Sequence, residues 1–293
     1  MRLVMTLVVR DESDVLAATI EHHLASGVDF IVATDNGSRD GTAELLAAYQ
    51  DAGVLEFRVE PDLKYDQARW VTAMARRAAE VHQADWVINA DADEFWWPRD
   101  GASLAAVLDM LPAQYGTVEA PRENLVADTR PSGAGPWPDR LTLRDLLSLH
   151  ERGGRIGPKT CHRGDGAVNI AYGNHGVTGQ ALGSRWSASP ITILHAPDRS
   201  YEQFARKIEN GGASLVANAE LDPEICWHWR ADYARLLDGT LYSSWLARQL
   251  DAEQIEAGLA SGRLVPDSRL RTRLSTLLDH AVLPTALRAV LAD

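Results

Sequence analysis

The sequence contains very little cysteine. Cys161 and Cys226 are its only two cysteines, and no Cys-x-x-Cys pair occurs. Domains that depend on disulfides carry many more, so this scarcity excludes a disulfide framework and favours a reducing compartment. The neighbouring His162 and His228 supply zinc-binding residue types but at no spacing typical of zinc sites, and we therefore reject a zinc centre.

Long apolar runs are also missing. No stretch is long enough to span a bilayer, so we expect no transmembrane segment. Residues 1–9 are apolar, but they lead straight into Arg10-Asp11-Glu12 without a small-residue cleavage site, which argues against a signal peptide. We therefore expect a cytoplasmic location.

Positive charge is in short supply. Lysine and arginine number 29 against 41 acidic residues, giving a formal net charge of −12. A nucleic-acid binder needs a basic surface to neutralise phosphates, so we expect no nucleic-acid partner. Where the acidic side chains converge, they favour hard divalent cations.

What the chain does contain is a regular alternation of strand and helix patterns, which predicts a doubly wound, mostly parallel α/β sheet with helices on both faces. Apolar, β-branched runs predict strands at residues 3–9, 30–34, 54–59 and 85–89. Helical patterns between them cover residues 13–26, 42–51 and 66–82.

The rest of the chain is less regular. Strand patterns recur at residues 118–120, 167–171 and 191–194, and a Pro- and Gly-rich surface loop is expected at 128–139. Helical patterns at 201–216 and 233–250 predict a helical ending. We expect two parts, a catalytic domain at 1–220 and a helical C-terminal region at 221–293.

Polar clusters follow several of the predicted strands. Asp11-Glu12, residues 35–40 and residues 91–94 all fall where a strand ends. In doubly wound sheets, ligands bind beyond the carboxyl ends of the strands, so these clusters predict one site.

Asp91-Ala92-Asp93 is the most informative of these clusters. Two carboxylates one residue apart at a strand end can share a divalent ion, directly or through water. Such an ion neutralises the charge that develops on a diphosphate leaving group. In the turn after the second strand, Asp35 can accept a hydrogen bond from a nucleobase or a ribose hydroxyl, while Gly37 and Gly41 permit tight turns.

Together these segments resemble the family 2 glycosyltransferases, which have the GT-A fold, and more narrowly the bacterial branch whose metal motif reads Asp-x-Asp-Glu-Phe. The resemblance extends over roughly residues 3–215. Its motifs are residues 8–12 (VVRDE), 34–42 (TDNGSRDGT), 86–96 (WVINADADEFW), 173–175 (GNH) and 193–200 (ILHAPDRS).

The resemblance implies a sugar transferase that uses a nucleotide diphosphate donor, with UDP-sugars favoured, and Mn²⁺ or Mg²⁺. Asp35 would contact the base, Asp91 the ribose or the metal, and Asp93 would be the principal metal ligand. His195 would complete the metal site, with His175 as the alternative. The nucleotide-sugar-binding candidates are Val9, Arg10, Glu12, Asp35, Asp66, Arg69, Asp91, Ala92 and Lys207.

One part of the family pattern is missing. Many inverting members carry the general base in an acidic pair at the start of a late helix, and this chain has no clear pair. An inverting reaction needs a base beside the acceptor hydroxyl. Asp198, Glu94 and His175 remain open as candidates.

Lys207 is the favoured contact to the diphosphate, because a glycine pair is expected to close its helix near the site. Trp137 and Trp186 lie in Pro-, Gly- and Ser-rich surroundings and are expected to be exposed, where they could stack on sugars. The acceptor is a small molecule or a glycan. The helical tail could cover the acceptor site, form a homodimer contact or pack on the sheet.

Three other functions compete. A nicotinamide-dependent oxidoreductase would need Gly-x-Gly-x-x-Gly after the first strand, and that turn is Arg10-Asp11-Glu12-Ser13. A nucleotidylyltransferase would need an early Gly-rich basic loop, which is missing, yet it remains the best enzyme alternative. A non-catalytic nucleotide-sugar-binding protein is the third.

Overall fold

The computed structural model of the protein describes residues 1–130, 135–186 and 188–292. Numbered along the chain, the strands are β1 (Leu3–Val9), β2 (Phe30–Asp35), β3 (Leu55–Val59), β4 (Trp86–Asp91), β5 (Glu94–Pro98), β6 (Tyr115–Ala120), β7 (Arg122–Val126), β8 (Leu143–Asp145), β9 (Lys159–Arg163), β10 (Asn169–Ile170), β11 (Val177–Thr178), β12 (Ser184–Trp186), β13 (Ile191–His195) and β14 (Leu264–Pro266).

The helices are α1 (Ser13–Ala25), α2 (Thr42–Asp51), α3 (Gln67–Glu80), α4 (Leu104–Asp109), α5 (Trp137–Arg140), α6 (Tyr201–Ala217), α7 (Trp227–Leu237), α8 (Leu241–Leu246), α9 (Ala252–Ala260), α10 (Arg269–Leu277) and α11 (Pro284–Val290), with a 3₁₀ turn at Tyr172–Asn174.

The larger sheet has the strand order β12-β6-β9-β4-β1-β2-β3. Strands β3, β2, β1 and β4 run parallel to one another, as does β12 to β6, whereas β9 is antiparallel to both β4 and β6. The predicted fold class, an α/β fold with a mostly parallel sheet between helices, is confirmed.

The alternation of side chains along the central strands creates two cores. In β1, Leu3, Met5 and Leu7 join the cluster that contains α1, while Val4 faces the cluster formed with α3. Successive side chains of a strand point to opposite faces, so a continuously apolar strand is buried on both sides. The motif residues after these strands therefore lie at the edge of a rigid layer.

A second sheet, of order β14-β8-β7-β13-β5, joins the first through the turn between β4 and β5. The predicted strand at residues 191–194 is confirmed as β13, and it pairs with β5 and β7. His195 at its end stands opposite Glu94. This second sheet thus brings His195 close to the carboxylates that follow β4.

The middle of the chain differs in several places from what the sequence predicts. The segment 167–171 pairs only at β10, in a small hairpin with β11. In the predicted loop 128–139, residues 131–134 lie outside the described residues, and helix α5 begins at Trp137. Trp137 is only 6% exposed, because its ring packs on Phe95 and its indole N–H donates to the Asp14 carbonyl. The other expected surface tryptophan, Trp186, is half-buried.

The single helix predicted at 233–250 is two helices, α7 and α8. The chain breaks at Gly239, whose φ of 80° lies in the left-handed region that favours glycine. The Asp238 carboxylate then accepts from the Thr240 N–H and hydroxyl and fixes the turn. A helical pattern alone did not reveal this break.

The C-terminal helices contribute to the core that contains β1 and α1. Leu274 and Leu287 are fully buried in the same cluster as β1 and α1. The division at residue 220 stays a prediction. Within the described ranges, no helix is long and apolar enough to cross a membrane.

Candidate active site

Three strand ends meet at one edge of the larger sheet. Val9 pairs with Asp35 in the register of β1 and β2, and Val8 pairs with Asp91 in that of β1 and β4. Parallel strands end at the same edge, so the three polar clusters that follow them are neighbours. The predicted meeting of these clusters is confirmed.

The turn after β2 is organised by Asp35. Its carboxylate is almost fully buried and accepts from the Ser38 N–H at 3.3 Å and from the Ser38 hydroxyl. Ser38 in turn accepts from the Asp11 N–H at 2.9 Å. The predicted base-binding carboxylate therefore also holds the first two strand-end turns together.

The turn after β1 is fastened to helix α6. Asp11 has a positive φ of 55°, and its carboxylate accepts from the Asn210 amide at 2.6 Å. Arg10 donates to the Ser214 hydroxyl at 3.0 Å. Helix α6 is thereby held over the carboxyl edge of the sheet, where it supplies Lys207.

Asp93 is only 1% exposed. It lies among Glu12, His195 and Lys207, and we call these four residues the ionic centre. The Lys207 ammonium is 2.6 Å from Asp93 Oδ2 and 3.8 Å from Glu12 Oε1. Burial opposes ionisation of Asp93, but the charges of Lys207 and Arg199 outweigh it and hold its pKa well below the usual range. The two cations therefore favour the ionised form of Asp93.

Arg199 links this centre to α1. Its fully buried guanidinium contacts Glu12 at 2.5 Å and Asp14 at 2.6 Å, and it lies 4.0 Å from Asp93. A planar guanidinium can bond several carboxylates at once, which a lysine cannot do. Arg199 thus fixes the mutual positions of the carboxylates on both strand-end turns.

His195 is oriented by a neighbouring strand. Its Nδ1 lies 2.7 Å from Asn124 Oδ1, while its Nε2 lies 3.7 Å from Asp93 Oδ1. Because Oδ1 of an amide only accepts, Nδ1 carries the proton and the lone pair of Nε2 faces the carboxylate. Burial lowers the His195 pKa to about 4, so the ring is neutral.

Asp91 occupies a different pocket from Asp93. Its carboxylate pairs with Lys159 and accepts from the Asn174 amide at 3.1 Å and the Gln67 amide at 3.2 Å. Burial would raise its pKa, but the Lys159 charge lowers it below the usual value. The two carboxylates of the motif thus have separate partners.

Asp93 and His195 fit a divalent ion better than Asp91 does. A carboxylate oxygen and an imidazole lone pair that face each other without a proton between them are two suitable ligands, and the hydrogen bond that Nδ1 donates to Asn124 holds the ring in this orientation. Magnesium-type ions take one or two carboxylates and complete their shell with water and substrate phosphates. Within the described parts of the chain, no group of three or more His, Cys, Asp or Glu side chains could hold an ion.

The three candidate bases differ in setting. Asp198 is half-buried, its pKa is raised by burial, and within residues 1–130, 135–186 and 188–292 it has no hydrogen bond or ion pair. Glu94 is fully buried between Lys159 and Arg122, and burial raises its pKa to about 7. His175 is exposed and bonds the Pro158 carbonyl at 2.6 Å.

Other predicted binding residues lie further out. Asp66 and Arg69 form an ion pair of 2.6 Å, and the Arg69 side chain is 60% exposed. The Tyr172 hydroxyl donates to Asp66 at 3.4 Å.

Ala92 is buried and its carbonyl accepts from the Thr19 hydroxyl, so this residue fastens the motif turn to α1.

The expected role of the glycine pair beside Lys207 was wrong. Helix α6 continues past Gly211 and Gly212 to Ala217. A Cβ at Gly211 would lie 2.4 Å from the Trp229 ring, and one at Gly212 would lie 2.3 Å from the Tyr233 ring. The pair makes room for the aromatic face of α7 and does not end the helix.

Sequence reasoning missed Arg199 and Lys159 as partners of the motif carboxylates. A signal was present, because only three of the 29 basic residues are lysines, namely Lys64, Lys159 and Lys207. Two of these three bond the motif carboxylates directly. Because almost all other basic residues of this chain are arginines, the rarity of lysine marked Lys159 as a candidate partner of Asp91.

Comparison with known protein families finds a match in the N-terminal part of the chain. Residues 5–118 match the model of glycosyltransferase family 92. No curated protein matches the sequence. The match confirms the predicted enzyme class, a glycosyltransferase, while the assignment to family 2 stays a prediction.

Solved structures give distant likenesses. S. aureus TarS 1-349 in complex with UDP is 14% identical, with a TM-score of 0.42, over 99% of this chain and 83% of that one. Glucosyl-3-phosphoglycerate synthase from Mycobacterium tuberculosis, in complex with Mn²⁺ and UDP, is 14% identical with a TM-score of 0.30, over 41% of this chain and 44% of that one. The bifunctional glycosyltransferase WbbM is 13% identical with a TM-score of 0.29, over 41% of this chain and 23% of that one.

Proposed function

We propose that the protein transfers a sugar from a nucleotide diphosphate donor, most readily a UDP-sugar, to an acceptor hydroxyl with inversion. One observation carries this proposal. Glu12, Asp93, His195 and Lys207 converge at the carboxyl edge of the sheet, with anionic and cationic groups interleaved in a buried centre. A donor diphosphate needs such paired groups, because its charge grows as the sugar leaves.

Asp93 and His195 would hold Mn²⁺ or Mg²⁺ together with donor phosphate oxygens and water. When bound, the ion neutralises the charge of the leaving diphosphate. Lys207, at 2.6 Å from Asp93, would transfer its hydrogen bond to the diphosphate when the donor enters. Asp35 and Asp91, at neighbouring strand ends, would bind the base and the ribose, while Arg10, Asp66 and Arg69 would line the entrance.

Asp198 is the general base that we favour. The acceptor oxygen attacks the anomeric carbon while the bond from that carbon to the diphosphate oxygen breaks. The hydroxyl proton passes to the Asp198 carboxylate. Glu94 is less suited, because its carboxylate is fully buried against Lys159 and Arg122. His175 is held by the Pro158 carbonyl and lies outside the ionic centre.

The experiment measures Mn²⁺-dependent release of nucleoside diphosphate from a panel of UDP-, GDP- and dTDP-sugars. We expect turnover with one donor, lost on EDTA treatment and reduced about 100-fold or more in Asp93→Asn, because a principal ligand is removed. Asp109→Asn, which changes an exposed carboxylate in α4, is the matched control. Equal turnover in Asp93→Asn and Asp109→Asn would refute the metal site.

Two alternatives have distinct results in the same assay. A nucleotidylyltransferase would release pyrophosphate from a nucleoside triphosphate and a sugar phosphate, and would not release nucleoside diphosphate. A non-catalytic protein would bind a nucleotide sugar without turnover. We further propose that residues 1–220 form the catalytic part, that 221–293 form an attached helical region, and that the protein acts in the cytoplasm.

A further inference from the structure

A cleft lies on the larger sheet, outside the ionic centre. It has a volume of about 380 Å³ and opens between strands β6 and β9 and the segment 176–185. Clefts of this size are typical of small-molecule sites. Its polar lining consists of Thr117, Glu119, Thr160, Thr178 and Arg185.

The cleft and Asp91 lie on the same face of the sheet. In β4, Val87 belongs to the core on the α3 side, so Asp91, four residues further, points to that side as well. In β9, Cys161 belongs to the opposite core, so Thr160 points to the α3 side. The register places Thr160 opposite Glu119.

The wall of the cleft continues from the partner of Asp91. Asn174 bonds the Asp91 carboxylate at 3.1 Å, and Gly176, two residues later, already lines the cleft. Asn89, two residues before Asp91 in β4, connects this strand to the cleft, because its side-chain amide donates to the Thr160 carbonyl at 3.4 Å. A ligand in the cleft would therefore lie next to whatever Asp91 binds.

The floor of the cleft holds unused hydrogen-bonding capacity. Thr160 is only 3% exposed, and among the described residues its hydroxyl has no hydrogen-bond partner. Buried polar groups are normally paired, so the hydroxyl of Thr160, a residue that lines the cleft, points to a polar ligand.

The charged residues of the cleft neutralise each other. Arg185 Nη1 lies 2.6 Å from Glu119 Oε1. A balanced pair attracts neither an anion nor a cation strongly, but it offers acceptors and donors side by side, as neighbouring sugar hydroxyls require. With the hydroxyls of Thr117 and Thr178, the lining suits a neutral, hydroxyl-rich ligand.

The cleft is preformed by close backbone contact. A Cβ at Gly116 would lie 1.7 Å from the Leu182 carbonyl oxygen, so the segment before β12 is pressed against β6. Only glycine allows this approach. A wall held in this way needs little ordering when a ligand binds.

We propose that this cleft binds the acceptor, and that the acceptor is a neutral sugar ring whose hydroxyls bond Thr160, Thr117 and the Glu119–Arg185 pair. The assignment rests on the proposed sugar transfer. It adds the substrate class and the place from which the attacking hydroxyl reaches the donor beside Asp91.

Saturation-transfer NMR with the methyl glycosides of glucose, galactose, mannose and N-acetylglucosamine tests the cleft without any turnover. We expect at least one of them to bind at millimolar concentration, and Thr160→Val to weaken that binding about tenfold through the lost hydroxyl. Thr276→Val, at an exposed position of α10, is the control and should bind as the unchanged protein does. Glucose 6-phosphate should bind no better than the neutral sugars.

Three results would overturn the assignment: no binding of any neutral glycoside, equal binding by Thr160→Val, or a clear preference for the phosphorylated sugar. Donor hydrolysis without acceptor separates this proposal from the proposed function. Thr276→Val should hydrolyse the donor normally and keep the KM for the bound sugar as acceptor, whereas Thr160→Val should raise that KM. If the donor is never turned over while glycoside binding still depends on Thr160, the transferase proposal fails and the carbohydrate site stands.

Discussion

At the residue scale, the ionic centre is balanced before any donor arrives. Asp93 and Lys207 are both removed from water to a large extent, and each makes the burial of the other tolerable. Breaking a buried pair by removing one partner is costly, because the remaining charge is left without compensation. Under the proposed function, donor binding would exchange these contacts, and the diphosphate would accept the hydrogen bond of Lys207.

We predict that Asp198→Asn lowers kcat by about 10²- to 10⁴-fold with little change in donor KM, because an amide cannot take the acceptor proton. The pKa of Asp198 is raised by burial, and a base works only when ionised, so the acidic limb of the pH–kcat/KM profile should lie above that of an ordinary aspartate. Steady-state kinetics across pH would measure both effects.

The control for this variant is Asp279→Asn, which removes an exposed carboxylate beyond helix α10. A normal kcat in Asp198→Asn would return the role to Glu94 or His175. An unchanged acidic limb in a slowed variant would show that Asp198 only positions the site.

The motif residues were predictable because a strand and the carboxylates after it are adjacent in sequence. Asp35, Asp91 and Asp93 needed only the rule that ligands bind at the carboxyl ends of strands. Lys159 and Arg199 were not predictable in this way. They reach Asp91 and Glu12 from strands and turns far away along the chain, and sequence spacing carries no information about such pairs.

At the element scale, helix α6 connects the carboxyl edge of the larger sheet to the C-terminal helices. Its one side supplies Lys207 and Asn210 to the site, and its glycine pair receives Trp229 and Tyr233 of α7. The helical period predicted α6 almost to its ends. It could not predict that the glycines are interior, because their reason is a ring on another helix.

We predict that Gly212→Ala destabilises the protein by about 1–3 kcal/mol, because its Cβ would overlap the Tyr233 ring and overpacking has costs of this size. Helix propensity alone favours the change, by about 1 kcal/mol. Urea unfolding would measure the difference in the free energy of unfolding.

Ala213→Gly, one position along on the exposed face of α6, isolates the propensity effect and should cost about 1 kcal/mol. If Gly212→Ala proved more stable than the unchanged protein, the close packing of α6 on α7 described above would be wrong.

At the scale of the whole molecule, the core that contains β1 and α1 also includes residues of the C-terminal helices. Leu274 and Leu287 pack into the cluster that contains β1. The parallel sheet was predictable from strand and helix periods, whereas the second sheet was not. Its strands are short, and β14 pairs with β8, which lies far earlier in the chain.

Two adjacent buried histidines of α1 should make stability depend on pH. Burial lowers the pKa of His23 to about 4 and that of His22 well below its ordinary value. Below the unfolded value of about 6.5, the unfolded chain binds protons that the folded one does not. Stability should therefore fall with decreasing pH, by up to about 1.4 kcal/mol per pH unit for each histidine, until the folded pKa is reached.

We predict that in His23→Gln the free energy of unfolding changes less with pH between about pH 7 and about pH 5 than in the unchanged protein. Glutamine can still donate to the Thr19 carbonyl and accept from the Trp96 N–H, as His23 does. His280→Gln, at an exposed position, should leave the slope unchanged. Parallel slopes for all three proteins would contradict the prediction.

The scarcity of lysine has a practical consequence for labelling. A reagent that acylates amines would find Lys64 open to solvent, Lys207 partly shielded and Lys159 almost inaccessible. Any ligand that engages Lys207 would confine side-chain acylation almost wholly to Lys64. Peptide mapping of acylated protein would then report occupancy of the ionic centre without knowledge of the sugar or the acceptor.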